Sequence, residues 1–370
     1  MICRIEDLKK ISTILLSAVD SSELSKITDN LELKVENEIL NLSVTNGEYF
    51  VKTKLPIYEN IEFHATVNAN KFLKLLTKVT TETVEFKLEG NSLVIVGNGE
   101  YKIPLIYEGS DLLSLPEISI SNVTSTFKIH SDILKSILNY NSRELSKKAV
   151  VANPVQKLYY IDNEGAITFT TGACVNVFKL EQPIKMLLSP KIVNLFKLFD
   201  TGDIKFSMGQ DQIAGTNNVQ TKVSFESDFL IISAIIPSND ALIGTVPVKA
   251  IRGRAFDAYA SSAVLNRVEM IQAIDRLMIF YDSAVNYYAN LKFSSNGLRI
   301  SSLNNEVYED ISVSSVTGLD DPYEAILDIN DIKIILQSYS EGHITMGFGN
   351  HQAVVLFKPG IYSVIPEVRL

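Results

Sequence analysis

Few side chains in this 370-residue sequence are arranged to make or break covalent bonds. The four histidines, His64, His130, His343 and His351, each stand alone, without the neighbouring ligands of a metal site or the nucleophile of a triad. Cys3 and Cys174 have neither metal-ligand spacing nor a disulfide framework, and read as small buried hydrophobes in a reducing compartment. The carboxylate pairs Glu309-Asp310 and Asp320-Asp321 fall in a strand end and a loop, where solvated charge is the ordinary state. The motifs GxxxxGK followed by Ser or Thr, GxGxxG, HExxH, CxxC and GxSxG are all missing. The sequence therefore does not read as an enzyme, and it calls for no cofactor and no metal. What remains is cationic. Lys71, Lys74 and Lys78 recur at spacings of three and four, which places their ammonium groups on one side of a helix, where they can contact phosphates without reading bases.

The element that positions them is a helix over 70–79, whose opposite stripe is Phe72, Leu73, Leu76 and Val79. Strand-like runs follow at 83–88, 92–96 and 101–106. The same unit returns as a helix over 190–199 with runs at 202–207, 212–214 and 219–225, and again as a helix over 330–339 with runs at 343–348 and 353–357. These helices begin roughly 120 to 140 residues apart, which is domain spacing rather than solenoid spacing. A second amphipathic helix opens each copy, at 4–19, 132–140 and 269–278. Alternating runs lie between the paired helices, at 31–35, 39–44, 49–55 and 61–67 in the first copy, 126–129, 157–161 and 166–170 in the second, and 290–293, 297–300, 307–313 and 324–329 in the third. The chain reads as α+β, with domains at 1–121, 122–240 and 241–370. Each has two helices on antiparallel sheets, and 237–262 is a long connection into the third.

Hydrophobic residues make up 46% of the chain and charged residues 21%, with 11 Pro and 18 Gly, which excludes a disordered chain. No apolar run reaches the roughly 18 residues of a bilayer span, and the N-terminal residues begin inside an amphipathic pattern rather than a signal peptide, so the expected location is cytoplasmic. The formal net charge of −9 argues against nucleic acid only until the lysines are placed, because binding depends on their local arrangement. If paired helices lie side by side and the domains join edge to edge, their polar faces line one surface. Its candidates are Lys9, Lys10, Lys71, Lys74, Lys78, Lys135, Lys147, Lys148, Lys191, Lys197, Arg276 and Lys333. Such a surface would hold duplex DNA without sequence preference.

In its three-copy layout, in 67–106, in 168–177 and in the ending Tyr362-Ser-Val-Ile-Pro-Glu-Val-Arg-Leu370, the chain resembles the bacterial-type beta sliding clamp, the processivity factor of replicative DNA polymerase. The resemblance implies a head-to-tail homodimer, a six-domain ring with its helices around duplex DNA. It further implies no catalytic activity, a clamp loader ATPase that opens the ring, and docking of polymerases and other replication or repair proteins through a short hydrophobic peptide. Carried over by position, the peptide pocket is Thr171, Cys174, Val175, Asn176, Val177, Ile236, Pro237, Val354, Val364, Ile365, Pro366, Val368, Arg369 and Leu370. The dimer contact is Tyr101 and Ile103 on one edge, and Ile279 and Phe280 on the other. The chain departs from the family at Cys174-Val-Asn176, where a His-Arg-Leu-like turn is usual, at 230–236, and in one extra residue between Pro366 and Arg369. A two-domain clamp of the trimeric kind and a non-enzymatic repeat-built structural or interaction protein with no DNA role are the competing readings.

Overall fold

The computed structural model describes residues 1–19, 27–57, 59, 61–147, 153–213, 215–216, 218–257, 259–281, 286–349 and 352–369. The α-helices among them are α1 (Ile5–Leu16), α2 (Ala69–Lys78), α3 (Ser131–Ser136), α4 (Ser142–Leu145), α5 (Pro190–Asn194), α6 (Asp240–Ile243), α7 (Val248–Asp257), α8 (Arg267–Met278) and α9 (Ile329–Leu336). A recurrent junction starts them: a strand ends on a polar residue whose side chain takes up the orphan amides of the next helix. Asn68 accepts from Lys71 N at 3.0 Å, Asn266 from Val268 N and Glu269 N at 3.0 and 3.1 Å, and Asp328 from Asn330 N at 3.0 Å. The six helices α1, α2, α3, α5, α8 and α9 recur roughly every sixty residues, the repeat anticipated above.

Two compact units divide the chain, Met1–Asp132 with Asn194–Pro237, and Ile133–Val193 with Ser238–Leu370. In the first, an eight-stranded antiparallel sheet runs in the order Val123–His130, Asp203–Gln212, Val219–Glu226, Leu230–Ile236, Tyr49–Pro56, Ile39–Thr45, Asn30–Glu36, His64–Asn68. Leu230 pairs with Thr53 and Ala234 with Tyr49, so strands nearly two hundred residues apart share one ladder. The separate runs expected at 202–207 and 212–214 are one strand, Asp203–Gln212; Ala214 lies outside the described residues. A four-stranded sheet runs Ile2–Arg4, Thr83–Glu89, Ser92–Val96, Glu100–Pro104. Helices α1 and α2 bury Leu8, Ile11 and Leu15, and Phe72, Leu73 and Leu76. Phe127, Phe206, Phe225 and Phe196 form a chain of ring contacts at 5.0, 5.2 and 4.9 Å.

In the second unit a nine-stranded antiparallel sheet runs Lys185–Leu188, Tyr159–Asp162, Gly165–Phe169, Ala173–Val177, Ile361–Pro366, Ala353–Lys358, His343–Gly349, Tyr259–Asn266, Val313–Thr317. A four-stranded sheet runs Tyr308–Ile311, Gly297–Ser302, Tyr288–Ser294, Tyr323–Asp328. The run expected at 307–313 breaks at Ser312, and its two halves enter different sheets. Side chains alternate across the large sheet. Cys174, Val354, Leu356, Ile361 and Ile365 join the core that holds Met270, Ile274 and Leu277 of α8 and Ile332 and Leu336 of α9. Ala173, Val175, Ala353, Val355 and Val364 join the other core, with Ile251 and Ala255 of α7.

The α6–α7 segment corrects the reading of 237–262 as connection. Pro247 precedes the first turn of α7, where its missing N–H costs nothing, and Ile251 and Ala255 recur four apart as buried positions. Arg252 fixes the helix to the sheet through Asp162 and Glu164, at 2.7 Å each.

Candidate functional site

The cations anticipated on the helices divide into three kinds. Lys71, Lys74 and Lys78 stand exposed on α2 with no ion-pair partner among the described residues, opposite a buried stripe that fixes which way the helix faces. Lys9 is half-buried on α1, while Lys10 reaches Asp200 at 2.9 Å and lies 4.7 Å from the Phe229 ring. Lys191 and Lys197 are exposed and Lys135 half-buried. In the second unit the helix cations are matched by acids. Arg276 holds Glu309 through two bonds of 2.8 and 2.7 Å, and Lys333 of α9 reaches Asp275 of α8 at 2.6 Å. Lys148 lies outside the described residues.

Lys147 requires a correction. Its side chain is 1% exposed and sits 2.7 Å from Glu144, itself 1% exposed, and 3.5 Å from Asp331, so it is no part of a solvated face. The closest pair is an ion contact whose alignment falls short of a hydrogen bond. Burial pulls the Lys147 ammonium down, but the Glu144 and Asp331 charges outweigh it and leave the group above the ordinary lysine value. Burial pushes the Asp331 carboxyl above the usual range. Glu144 also accepts from Thr170 N at 3.2 Å and from the Thr170 hydroxyl at 2.5 Å. The triad therefore pins the turn that joins Gly165–Phe169 to Ala173–Val177. Gly172 completes that turn, because a Cβ there would stand 2.3 Å from the Val364 carbonyl oxygen.

That turn forms one wall of a cleft of about 310 Å³ lined by Phe169, Thr170, Thr171, Gly172, Ala173, Pro247, Ile251, Arg254, Gln352, Ala353, Val364, Pro366 and Glu367. Of the pocket residues expected by position, Thr171, Val364 and Pro366 line it. The sheet's alternation corrects four others: Cys174, Asn176, Val354 and Ile365 point through the opposite face. Cys174, Val354 and Ile365 lie in the α8–α9 core, and Asn176 donates to Ser136 Oγ at 2.9 Å. Burial pushes the Cys174 thiol up to about 12 and the Cys3 thiol up to about 11, so neither is a ready nucleophile. Val175 is buried among the α7-side residues, and Val177 is exposed at the strand end. The ending is tied down by Val368 N donating to Ile326 O at 2.8 Å and by Arg369 donating to Gln352; Leu370 lies outside the described residues. Ile236, buried at a strand end, and Pro237, exposed, belong to the first unit.

Pro247, Ile251 and Arg254 were hidden from sequence reasoning because 237–262 read as a connection. The periodicity of Val248, Ile251 and Ala255 carried the missing signal. Thr170, Gly172 and Ala173 could have been found by applying strict alternation along 168–177.

At the expected dimer contact, Glu100–Pro104 is an edge strand of the first unit's four-stranded sheet. Tyr101 is half-buried there, but Ile103 is 6% exposed and packs inward, which corrects its assignment as a contact side chain. Ile279 and Phe280, just past α8, are 78% and 68% exposed. The edge strand Tyr308–Ile311 lies in the same unit. Among the described residues no three His, Cys, Asp or Glu side chains converge on a metal position, and no helix is long and apolar enough to cross a membrane.

Residues 1–113 match the model of the DNA polymerase III beta subunit, N-terminal domain. The whole chain has the fold of solved beta subunits. It is similar to that of Thermotoga maritima (16% identity, TM-score 0.78, 100% of this chain and 99% of that one). It is similar also to the DNA polymerase sliding clamp of Bacillus subtilis (15%, 0.77, 100% and 98%) and to the DNA polymerase III subunit beta of Pseudomonas aeruginosa (13%, 0.80, 100% of both). No curated protein matches the chain by sequence.

Proposed function

We propose that this chain is a DNA sliding clamp, two copies of which close head to tail into a ring of six domains that encircles duplex DNA and tethers the replicative DNA polymerase. The observation that carries the reading is the end-to-end correspondence of fold with beta subunits, at a TM-score of 0.80 over 100% of both chains, joined to the family match over residues 1–113. The six recurring helices support division into domains 1–121, 122–240 and 241–370, and the paired cores support the α+β clamp fold.

The free lysines of α2 supply phosphate contacts that carry no sequence information, as a sliding protein requires. The unpaired edge Glu100–Pro104 and the edge Tyr308–Ile311, beside exposed Ile279 and Phe280, supply two surfaces that a second copy would cover by strand pairing and apolar burial. The cleft lined by Thr171, Val364 and Pro366 is where a polymerase, the clamp loader ATPase and other replication or repair proteins dock by a short peptide. The protein works as a topological tether in the cytoplasm and catalyses nothing itself.

Light scattering after size exclusion, across a dilution series, tests the ring. The expected mass is twice the 41.1 kDa of one chain, and a monomer at every concentration would overturn a self-closed ring.

A further inference from the structure

We infer that the cleft beside α7 selects an acidic–apolar peptide, an extended segment with one bulky aliphatic or aromatic side chain and an Asp or Glu within two residues of it, the carboxylate seated on Arg254. The inference rests on the docking-cleft reading above and names the partner's chemistry. The apolar half of the site is Ala173, Ala353, Val364 and Ile251, in a volume of about 310 Å³, enough for only a few atoms of a partner to be enclosed. The charged half is Arg254, one turn beyond Ile251 and on the same side of α7.

Arg254 is exposed and has no carboxylate partner among the described residues. Its neighbour Arg252 is committed to Asp162 and Glu164, so the two guanidiniums of one helix do different work. The acid in the lining, Glu367, accepts from the Tyr323 hydroxyl, and Gln352 accepts from Arg369. The rim thus offers one uncommitted guanidinium beside an apolar wall, on a chain whose net charge is −9. At long range that net charge repels acidic partners. At contact a guanidinium–carboxylate bond against an apolar wall outweighs the screened repulsion, so selection is made at short range. The spacing fits: one helical turn between Ile251 and Arg254 rises about 5 Å, and alternate side chains of an extended peptide stand about 7 Å apart.

An array of capped seven-residue peptides tests this, with Leu, Ile, Met or Phe at the centre and Asp, Asn or Lys one or two positions away. It is probed with the full chain, with Arg254→Gln and with Thr171→Arg, which fills the cleft; each variant's melting curve verifies folding. The wild-type chain should bind Asp peptides about tenfold more tightly than their Asn counterparts, the equivalent of one charge-assisted hydrogen bond. Arg254→Gln should erase that difference, and Thr171→Arg should abolish both sets. If Asp and Asn peptides bind equally and Arg254→Gln changes nothing while Thr171→Arg still blocks, the selection is overturned and the docking cleft stands. If no peptide binds in a manner sensitive to Thr171→Arg, the docking reading falls and the inference with it.

Discussion

Glu144 and Lys147 illustrate at the residue scale why the position of a cation matters more than its presence. Both side chains are 1% exposed, and each is the other's compensation for lost hydration. Glu144→Ala strands a buried ammonium and should cost about 3–5 kcal/mol, while the paired change Glu144→Leu with Lys147→Met should cost far less. Urea midpoints of the three variants check this. Asp211 makes a different prediction, from pH. Its carboxyl is held below the usual carboxylate range, first by the bond from Lys222 and then by the amides of Ser121 and Asn122. A lowered folded value means the tether is complete above the ordinary carboxylate pKa of about 3.9 and is lost as pH falls through that lowered value. Hydrogen-exchange protection at Ser121 and Asn122 should therefore hold at neutral pH and collapse in acid, and Asp211→Asn should show the collapse at pH 7.

At the scale of elements, α2 and α7 stand at opposite ends of what the sequence made legible. The stripe Phe72, Leu73 and Leu76 against Lys71, Lys74 and Lys78 reads directly as a helix with one wet face, because the period is regular and the cap Asn68 is a strong one. Changing the three lysines to Glu should leave the melting temperature nearly unchanged and abolish retention on DNA; retention at the wild-type level would remove α2 from the DNA-facing surface. Helix α7 was illegible because Gly253 and three cations dilute its period and Pro247 stands just before it. The cleft was half legible for a related reason. Position in the chain identified Thr171, Val364 and Pro366, but alternation sends Cys174, Asn176, Val354 and Ile365 through the sheet. Arg252→Ala should strand Asp162, whose side chain is 7% exposed, and cost about 2 kcal/mol, seen as faster exchange of the α7 amides.

At the scale of the molecule, the repeat was legible in the helix starts, but the seams were not. Leu230–Ile236 against Tyr49–Pro56, and Ala173–Val177 against Ile361–Pro366, are pairings between distant segments that no local pattern encodes. They make the middle repeat a contributor to two sheets, which is why the contact division passes through it. The central claim is that the chain works by enclosing DNA rather than by gripping it. Phosphate contacts weaken steeply with salt, whereas a closed ring stays linked whatever the salt. The most direct measurement reassembles the diluted protein in the presence of a nicked circular plasmid and filters the mixture in about 1 M salt, far above the range in which phosphate contacts hold. The retained complex is then cut once with a restriction enzyme. The account predicts co-elution with the circle and release on cutting. No retention on the circle, or retention that survives linearisation, would contradict it.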